Sequence, residues 1–198
     1  MELSIVATIY NDAQLIQELH QRIKQSLQEF QFEYEIILVN DGSTDRSEAE
    51  IENLCSLNSN IKGVSLSRNH GQQLAMTAGM HYASGNFVVI IDGDLQNPIE
   101  EIPRLYSKIK EGYDLVYTVS KKRNGWLDSI SSAIFWWCIC NLLKVKIVPH
   151  QLMLKIMTKD FLNRFKAYPE RSRSIVGIVN QIGLNAAVLP VQNNKRVS

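Results

Sequence analysis

The residues of this chain that could do chemistry stand closest together in Phe87–Pro98, which reads FVVIIDGDLQNP. The apolar run ends in two aspartates, Asp92 and Asp94, that are separated by one glycine. Carboxylates at this spacing can bind a hard divalent cation, and the glycine would let the phosphate oxygens of a ligand approach and complete the coordination shell. The same residues are also typical of a strand that ends in an ordinary Asp-Gly turn, and the motif alone fits both interpretations.

Repeated strand and helix patterns surround this motif and would position it. The five β-forming residues Phe87–Ile91 predict a strand buried on both faces, which would present the two carboxylates at its carboxyl end. Three earlier apolar runs also predict strands, at Leu3–Ile9, Tyr34–Val39 and Gly63–Leu66. Helical patterns follow these runs, from an N-cap at Asp12 through Leu27, from Ser47 to Leu57, and from Gln72 to Ala83.

Strands that alternate with helices predict an α/β fold with a parallel sheet and right-handed crossovers. The carboxyl ends of parallel strands meet at one edge, where open α/β sheets bind their ligands. Asp41, Arg68 and the Asp92/Asp94 pair each follow a predicted strand. Their convergence favours a ligand site, because unrelated turns would not be expected to carry complementary chemistry at every strand end.

The composition narrows the class of protein. A length of 198 residues with 45% hydrophobic residues suits one domain with a sizeable core. The 21 basic and 20 acidic residues leave a net charge of +1, so no basic field indicates a nucleic acid partner. The three cysteines lack disulfide or metal spacing, and an apolar strand follows Met1 without room for a leader peptide, which predicts a reduced, cytoplasmic setting.

Four segments carry a family resemblance, in the order IVATIYND, IILVNDGSTDRS, VSLSRNHGQQLAMTAGMHYASGNFVVIIDGDLQNP and YDLVYTVSKKR. They resemble the family 2 glycosyltransferases, and most of all the branch with dolichyl-phosphate-mannose and undecaprenyl-phosphate-sugar synthases. The resemblance implies the nucleotide-diphosphosugar transferase (GT-A-like) fold, with a mostly parallel central sheet flanked by helices. It also implies one catalytic domain over residues 1–198, with a nucleotide-binding half at 1–120 and an acceptor half at 121–198.

The resemblance assigns roles to individual residues. Asp92 and Asp94 would be the catalytic pair, and Asp94 would hold the cofactor, Mg²⁺ or Mn²⁺. The nucleotide of a UDP- or GDP-sugar would be contacted by Thr8, Tyr10, Asp12, Val39, Asp41, Arg68, Ile91, Asp92 and Gly93. The donor sugar or its phosphates would be contacted by Gln96, Lys155 and Arg196. The chain departs from the family pattern at Thr8, Asp12 and Lys155, where proline, glutamate and arginine are usual.

The implied reaction is an inverting transfer in surface-glycan synthesis. A metal ion would stabilise the charge that the nucleoside diphosphate gains as it leaves. A polyprenyl-phosphate acceptor is already ionised, whereas a saccharide hydroxyl needs a carboxylate to take its proton. No separate carboxylate stands out for that task, which favours the phosphate acceptor. Transfer to a growing polysaccharide, or nucleotide-sugar binding without catalysis, are the alternatives.

The second half of the chain has a different character. Lys121, Lys122 and Arg123 precede the mostly apolar, tryptophan-containing segment Trp126–Val145. This order is typical of a helix at a membrane interface, although a helix that covers the sheet has the same composition. The resemblance favours peripheral attachment to the cytoplasmic face of the inner membrane. Arg196 resembles the start of the family's Arg-x-x-Gly-x-Ser-Lys pattern. The chain stops before the glycine of that pattern, so a C-terminal truncation is expected. The sequence indicates no oligomeric state.

Overall fold

The structure of the protein is a computed structural model that describes residues 1–120, 151–167 and 185–192. Its strands are β1 Leu3–Ile9, β2 Tyr34–Asn40, β3 Ile61–Ser65, β4 Phe87–Asp92, β5 Leu115–Ser120, β6 Gln151–Thr158 and β7 Ala186–Val191. Its α-helices are α1 Ile16–Ser26, α2 Ser47–Leu57, α3 Gln72–Tyr82, α4 Ile102–Ile109 and α5 Lys159–Ala167. Two short 3-10 turns, Ala13–Leu15 and Ile99–Glu101, lead into α1 and α4.

The strands form one sheet in the order β3-β2-β1-β4-β6-β5-β7. The first four are parallel, β7 is parallel to β5, and among the described strands only β6 runs in the opposite direction. The predicted α/β architecture with a mostly parallel sheet is therefore confirmed. Because β6 is antiparallel, its amino end lies at the edge of the sheet where β1, β2 and β4 end.

Helices cover both faces of the sheet. On one face α1, α2 and α4 pack against a core that includes Ile5, Leu38 and Val89. On the other face α3 and α5 pack against a core that includes Val6 and Ile90. β4 contributes alternate residues to the two cores, and its residues from Val88 to Ile91 are all buried, which confirms the prediction of a strand buried on both faces.

The third strand differs from its prediction. It begins at Ile61, two residues before the predicted start at Gly63, and it ends at Ser65. Ile61 is buried and pairs with Ile36 of β2, whereas the next residue, Lys62, is exposed. The charged residue Lys62 separates Ile61 from the apolar residues that follow it. The apolar pattern therefore predicted a start that is later than the observed start of the strand.

The entrance to α1 also differs from its prediction. Asp12 precedes the 3-10 turn, but its side chain makes no capping hydrogen bond there. The N–H of Ala13 instead donates to Oδ2 of Asp45 at 3.0 Å, and the other oxygen of that carboxylate accepts from the N–H of Ser47 at 2.9 Å. Asp45 therefore caps a turn that lies far from it in sequence and ties the loop after β1 to the loop after β2.

Within the described ranges, no helix is both long enough and apolar enough to span a bilayer. The predicted interfacial helix at Trp126–Val145 and the basic residues before it lie outside the described residues, and so does Arg196.

A buried carboxylate joins the strands at the opposite edge of the sheet. Oε1 of Glu35 accepts hydrogen bonds from Ser4 Oγ at 2.6 Å, from Ser84 Oγ at 2.7 Å and from Ser84 N at 2.8 Å. Lys62 Nζ lies 2.7 Å from the other oxygen. Burial acts to raise the pKa of Glu35, but the hydrogen bonds from Lys62, Ser4 and Ser84 outweigh it and lower the pKa from 4.5 to about 2.

This network predicts a defined pH dependence of folding. Because the pKa of Glu35 is lower in the folded state, its ionisation stabilises the fold above pH 4.5, and this stabilisation is lost as the pH falls toward 2. We expect Glu35→Gln to lower the free energy of unfolding by about 1.5–3 kcal/mol at pH 7, the range for hydrogen bonds to charged groups. The difference from the wild type should shrink between pH 4.5 and 3 in urea titrations.

Glu33→Gln is the matched control, because Glu33 is 84% exposed and only approaches the N-terminal amine at 3.6 Å. Its unfolding free energy should follow the wild type at every pH. A constant gap between Glu35→Gln and the wild type from pH 7 to pH 3 would contradict the assigned shift.

Candidate functional site

A cavity of about 270 Å³ opens at the carboxyl edge of the sheet, between the ends of β1, β2 and β4 and the start of α3. Both aspartates of the Asp-Gly-Asp motif line it, together with residues from three other loops. The lining comprises Thr8, Ile9, Tyr10, Asp12, Asp41, Asn69, Gly71, Gln72, Asp92, Gly93 and Asp94. The predicted convergence of strand ends is confirmed for Asp41 and the aspartate pair.

Asp92 is the last residue of β4 and pairs with Thr8 of β1. Its Oδ1 accepts hydrogen bonds from Gln72 Nε2 and, at 3.4 Å, from Thr8 Oγ1. Burial raises the pKa of Asp92, and the negative charge of Asp94 raises it further, while the hydrogen bonds act in the opposite direction. The folded chain thus holds the charge of Asp94 close enough to Asp92 to disfavour the ionisation of Asp92.

Gly93 lets the chain turn between the two carboxylates. A Cβ atom on Gly93 would lie 2.9 Å from the carbonyl oxygen of Thr8 and closer still to the side chain of Ile9. No side chain fits there without displacing β1. The N–H of Gly93 donates to the same Thr8 oxygen at 3.0 Å, which fixes the start of the loop against β1.

Asp94 is oriented by Gln96. Its Oδ1 accepts from the backbone N–H of Gln96 at 3.0 Å, and its Oδ2 accepts from Gln96 Nε2 at 2.7 Å. Each oxygen keeps a second lone pair, since a carboxylate can accept about four hydrogen bonds or metal contacts. Gln96 therefore acts on Asp94 in this structure, and its predicted contact with the donor sugar stays a prediction.

The aspartate pair fits a hard divalent cation. Over the described ranges no group of three or more His, Cys, Asp or Glu residues could hold an ion, so the described part of the chain would offer a cation the oxygens of Asp92 and Asp94. Mg²⁺ binds in this way, with one or two carboxylates, and takes its remaining ligands from water and substrate phosphates. A cation would also relieve the repulsion that raises the pKa of Asp92.

Asp41 holds the loop that precedes α3. It is 3% exposed, and its two oxygens accept from the N–H groups of His70 at 2.8 Å and of Gly71 at 3.0 Å. The next residue, Gly42, has φ +63°, and a Cβ on it would lie 2.6 Å from the nitrogen of Asn69. This close approach needs glycine, and it brings the loop within reach of the Asp41 carboxylate.

The loop after β1 presents an aromatic ring at the cavity. Tyr10 is 46% exposed and lines the cavity. The neighbouring Asn11 donates its N–H to Ser43 Oγ at 3.0 Å and accepts from the N–H of Thr44 at 2.8 Å. These bonds hold the loop in place with Asn11 at φ +54°, a conformation that asparagine tolerates better than most residues. The exposed ring is therefore available for stacking.

Three predicted nucleotide contacts lie outside the cavity lining. Val39 and Ile91 are 0% and 2% exposed and belong to the two cores, so their side chains pack inside the protein. Arg68 is exposed, and its backbone packs against Gly42. Any contact that Val39 or Ile91 makes with a nucleotide would have to come from the backbone.

Lys155 lies behind the aspartate pair. It is 5% exposed, pairs with Ile90 of β4, and places Nζ 5.5 Å from the centre of the Tyr117 ring. Burial lowers its pKa from 10.5 to about 8, while the charge of Asp92 acts to raise it. Lys155 does not line the cavity, and its predicted contact with donor phosphates stays a prediction.

Sequence reasoning missed Gln72 and Asn97. Gln72 is the first residue of α3 and binds Asp92. Asn97 is 4% exposed, its Oδ1 accepts from the N–H of Leu154 at 3.0 Å, and its side chain acts to lower the pKa of Asp92. A polar residue beside Pro98, directly after an acidic motif, was the only signal for Asn97.

Known proteins resemble this chain in sequence. The family model described as "Glycosyl transferase family 2" matches residues 4–177. An uncharacterized glycosyltransferase of Synechocystis is 38% identical over 185 residues, which are 92% of this chain and 58% of that protein. The uncharacterized glycosyltransferase YkcC of Bacillus subtilis is 32% identical over 200 residues, covering all of this chain and 62% of YkcC. The chain thus spans about three fifths of the length of these curated relatives.

Solved structures share the fold. The mannosyltransferase PcManGT of Pyrobaculum calidifontis, in complex with GDP-Man and Mn²⁺, has a TM-score of 0.72 at 19% identity and covers 100% of this chain and 57% of its own. Glucosyl-3-phosphoglycerate synthase of Mycobacterium tuberculosis, with Mn²⁺, UDP and phosphoglyceric acid, has a TM-score of 0.71 at 19% identity over 100% and 71% of the two chains. Staphylococcus aureus TarS 1-349 with UDP-GlcNAc has a TM-score of 0.66 at 21% identity over 100% and 60%. The predicted GT-A-like fold is confirmed.

Removing the Asp41 carboxylate should loosen the loop before α3. Asp41→Ala leaves the N–H groups of His70 and Gly71 without this acceptor, and we expect the free energy of unfolding to fall by about 1–3 kcal/mol. Urea unfolding measures the change. Asn69→Ala is the control, since it removes an exposed acceptor of Gly71 only and should stay within about 0.5 kcal/mol of the wild type. Equal losses in both variants would contradict the special role of Asp41.

Proposed function

Because the chain belongs to glycosyl transferase family 2, we propose that it transfers a sugar, with inversion, from a nucleotide-diphosphate sugar to a polyprenyl phosphate in surface-glycan synthesis. The observation that carries the proposal is the half-buried pair of carboxylates at the cavity, Asp92 and Asp94. Its donor would be a UDP- or GDP-sugar, and its cofactor Mg²⁺ or Mn²⁺. The ligands of PcManGT and TarS, GDP-Man with Mn²⁺ and UDP-GlcNAc, support this choice.

The two ends of the cavity would bind different parts of the donor. Tyr10 would stack on the base, since its ring is exposed at the cavity. Asp41 would accept a hydrogen bond from the base with the lone pairs that its backbone bonds leave free. The bare backbone at Gly93 would allow the diphosphate to approach Asp92 and Asp94.

The chain's own residues would prepare the site for departure of the nucleoside diphosphate. A cation at Asp92 and Asp94 would stabilise the charge that develops on the diphosphate. Gln96 would orient the Asp94 carboxylate toward the cation through its two hydrogen bonds. Thr8 and Gln72 would orient the Asp92 carboxylate in the same way. The acceptor oxygen would attack the anomeric carbon from the side opposite the leaving group.

The carboxylates of the cavity support a phosphate acceptor. Four of its described lining residues are acidic: Asp12, Asp41, Asp92 and Asp94. Asp92 and Asp94 would be committed to the cation, and the other two lie at the end assigned to the nucleoside. None is left to take a proton from a saccharide hydroxyl, whereas an ionised lipid phosphate needs no base. Rapid transfer to soluble saccharides would favour a polysaccharide acceptor instead.

Metal-dependent donor binding is the first test of this function. Asp94→Asn keeps the volume of the side chain but removes the charge that would hold the cation. We expect Mn²⁺ together with a UDP- or GDP-sugar to raise the melting temperature of the wild type, by an amount equivalent to about 2.7 kcal/mol at a hundred times Kd. The variant should fold and lose the Mn²⁺-dependent part of this rise.

Asp160→Asn is the matched control, because Asp160 is exposed and pairs with Arg164 on α5, away from the cavity. It should keep the full metal-dependent rise. A folded Asp94→Asn protein with the same rise would refute the metal site. Binding without sugar transfer to any acceptor would favour the non-catalytic alternative.

Membrane attachment is a second, separable test. Lys121, Lys122 and Arg123 precede a segment with three tryptophans, and each basic residue near an anionic leaflet contributes about 1 kcal/mol. We expect the protein to sediment with anionic vesicles at low salt and to be released at high salt. Replacing the three basic residues by glutamine should abolish this sedimentation. If the wild type stays in the supernatant under every condition, the proposed attachment to the cytoplasmic face of the membrane is wrong.

A further inference from the structure

We propose that Arg22 on α1 is a positioning residue that fixes the Asp94 carboxylate through the loop that follows it. The proposal rests on the proposed function for its consequence, cation binding, but its structural basis is independent of that function. Arg22 belongs to none of the motifs described above, and it does not line the cavity.

The Arg22 guanidinium binds the segment after the Asp-Gly-Asp motif through all three of its nitrogen atoms, with four hydrogen bonds. Nη1 donates to the carbonyl oxygen of Leu95 at 3.3 Å, and Nη2 donates to the carbonyl oxygen of Asn97 at 3.5 Å. Nε and Nη2 also bind the two carboxylate oxygens of Glu100, at 2.8 and 3.0 Å. One planar group thus spans six residues of the loop.

The two carbonyls that Arg22 binds flank Gln96, the residue that orients Asp94. Gln96 donates both its backbone N–H and its side-chain Nε2 to the Asp94 carboxylate. A shift of the peptides on either side of Gln96 would move both donors together. The guanidinium therefore acts on the position of Asp94 through Gln96.

The loop needs such support because its backbone is strained. Leu95 has φ +60°, a left-handed conformation that is unfavourable for a residue with a side chain. Its side chain is fully buried in the core with α1 and α4, so the strain is maintained by packing and by the bonds to its carbonyl. Without Arg22 the Leu95 carbonyl loses its charged donor.

A second attachment holds the loop from the opposite side. Asn97 Oδ1 accepts from the N–H of Leu154 on β6, while the Asn97 carbonyl faces Arg22. The loop is thus held between α1 and β6. Within the described ranges, the side-chain hydrogen bonds from α1 to this loop all come from Arg22. The side chain of Arg22 is only 17% exposed, so solvent screens these bonds less than it screens a surface pair.

Lysine could not replace this arrangement. Its ammonium group is a point charge without the planar fork that reaches two carbonyls and a carboxylate at once. Arg104 offers a matched control on α4: it pairs with Glu101, the neighbour of Glu100, and none of its described bonds reaches the loop from Asp92 to Asn97.

The test compares Arg22→Met, which keeps the apolar stem, with Arg104→Met. Nucleotide affinity is measured by calorimetry in EDTA and in Mn²⁺, with UDP and GDP as probes. We expect Arg22→Met to leave the affinity in EDTA within twofold of the wild type and to reduce the Mn²⁺-dependent gain at least tenfold. A merely structural role would weaken both affinities together. Arg104→Met should keep both.

Hydrogen exchange decides the structural part without any ligand. Amides from Gly93 to Asn97 should exchange at least tenfold faster in Arg22→Met than in the wild type and Arg104→Met. If Arg22→Met does not fold, Arg22→Lys takes its place, with the same expectation. Wild-type exchange rates and a wild-type metal gain in the folded variant would overturn the proposal. A wild type without metal-dependent nucleotide binding would overturn the proposed function instead, and unchanged exchange would still refute the role of Arg22.

Discussion

The structure depends on the confinement of two negative charges at the end of a buried strand. Asp92 ends β4 with its carboxylate half-buried, and Asp94 follows after Gly93. Burial and the negative charge of Asp94 both disfavour the ionisation of Asp92 and raise its pKa. The protein places one positive charge, Lys155, behind the pair in the sheet and leaves the front open to the cavity. A cation bound at the front of the pair would offset the repulsion between the two carboxylates.

The loops around the cavity form two separately braced groups. At one end, the loops after β1, β2 and β3 bind one another through Asn11, Asp41 and Asp45, so the surroundings of Tyr10 depend on three mutual attachments. At the other end, the loop after β4 is held by Arg22 on α1 and by β6. Recognition of a base and retention of a cation would therefore depend on different parts of the fold.

The antiparallel direction of β6 determines which of its residues lie beside the end of β4. A parallel crossover would have placed another strand end beside β4, whereas the antiparallel β6 brings its amino end there. The middle of β6 supplies the N–H of Leu154 to Asn97 and, one residue later, the side chain of Lys155. Leu154 and Lys155, which lie behind the motif in the sheet, thus come from a part of the chain at least sixty positions away from it.

The sequence by itself determined the elements whose signals are local. Apolar runs and helical spacing located β1, β2 and β4 to within one residue of their observed ends, and the Asp-Gly-Asp motif stood at the strand end where the cavity is found. Tertiary structure alone decided which polar groups meet. The cap on the turn after Asp12 comes from Asp45, Val39 and Ile91 belong to the cores, and Arg22 reaches a loop more than seventy residues away. Hydrogen bonds between distant residues leave no periodicity in the chain, because they are set by the packing of helices on the sheet and not by the neighbours of either residue.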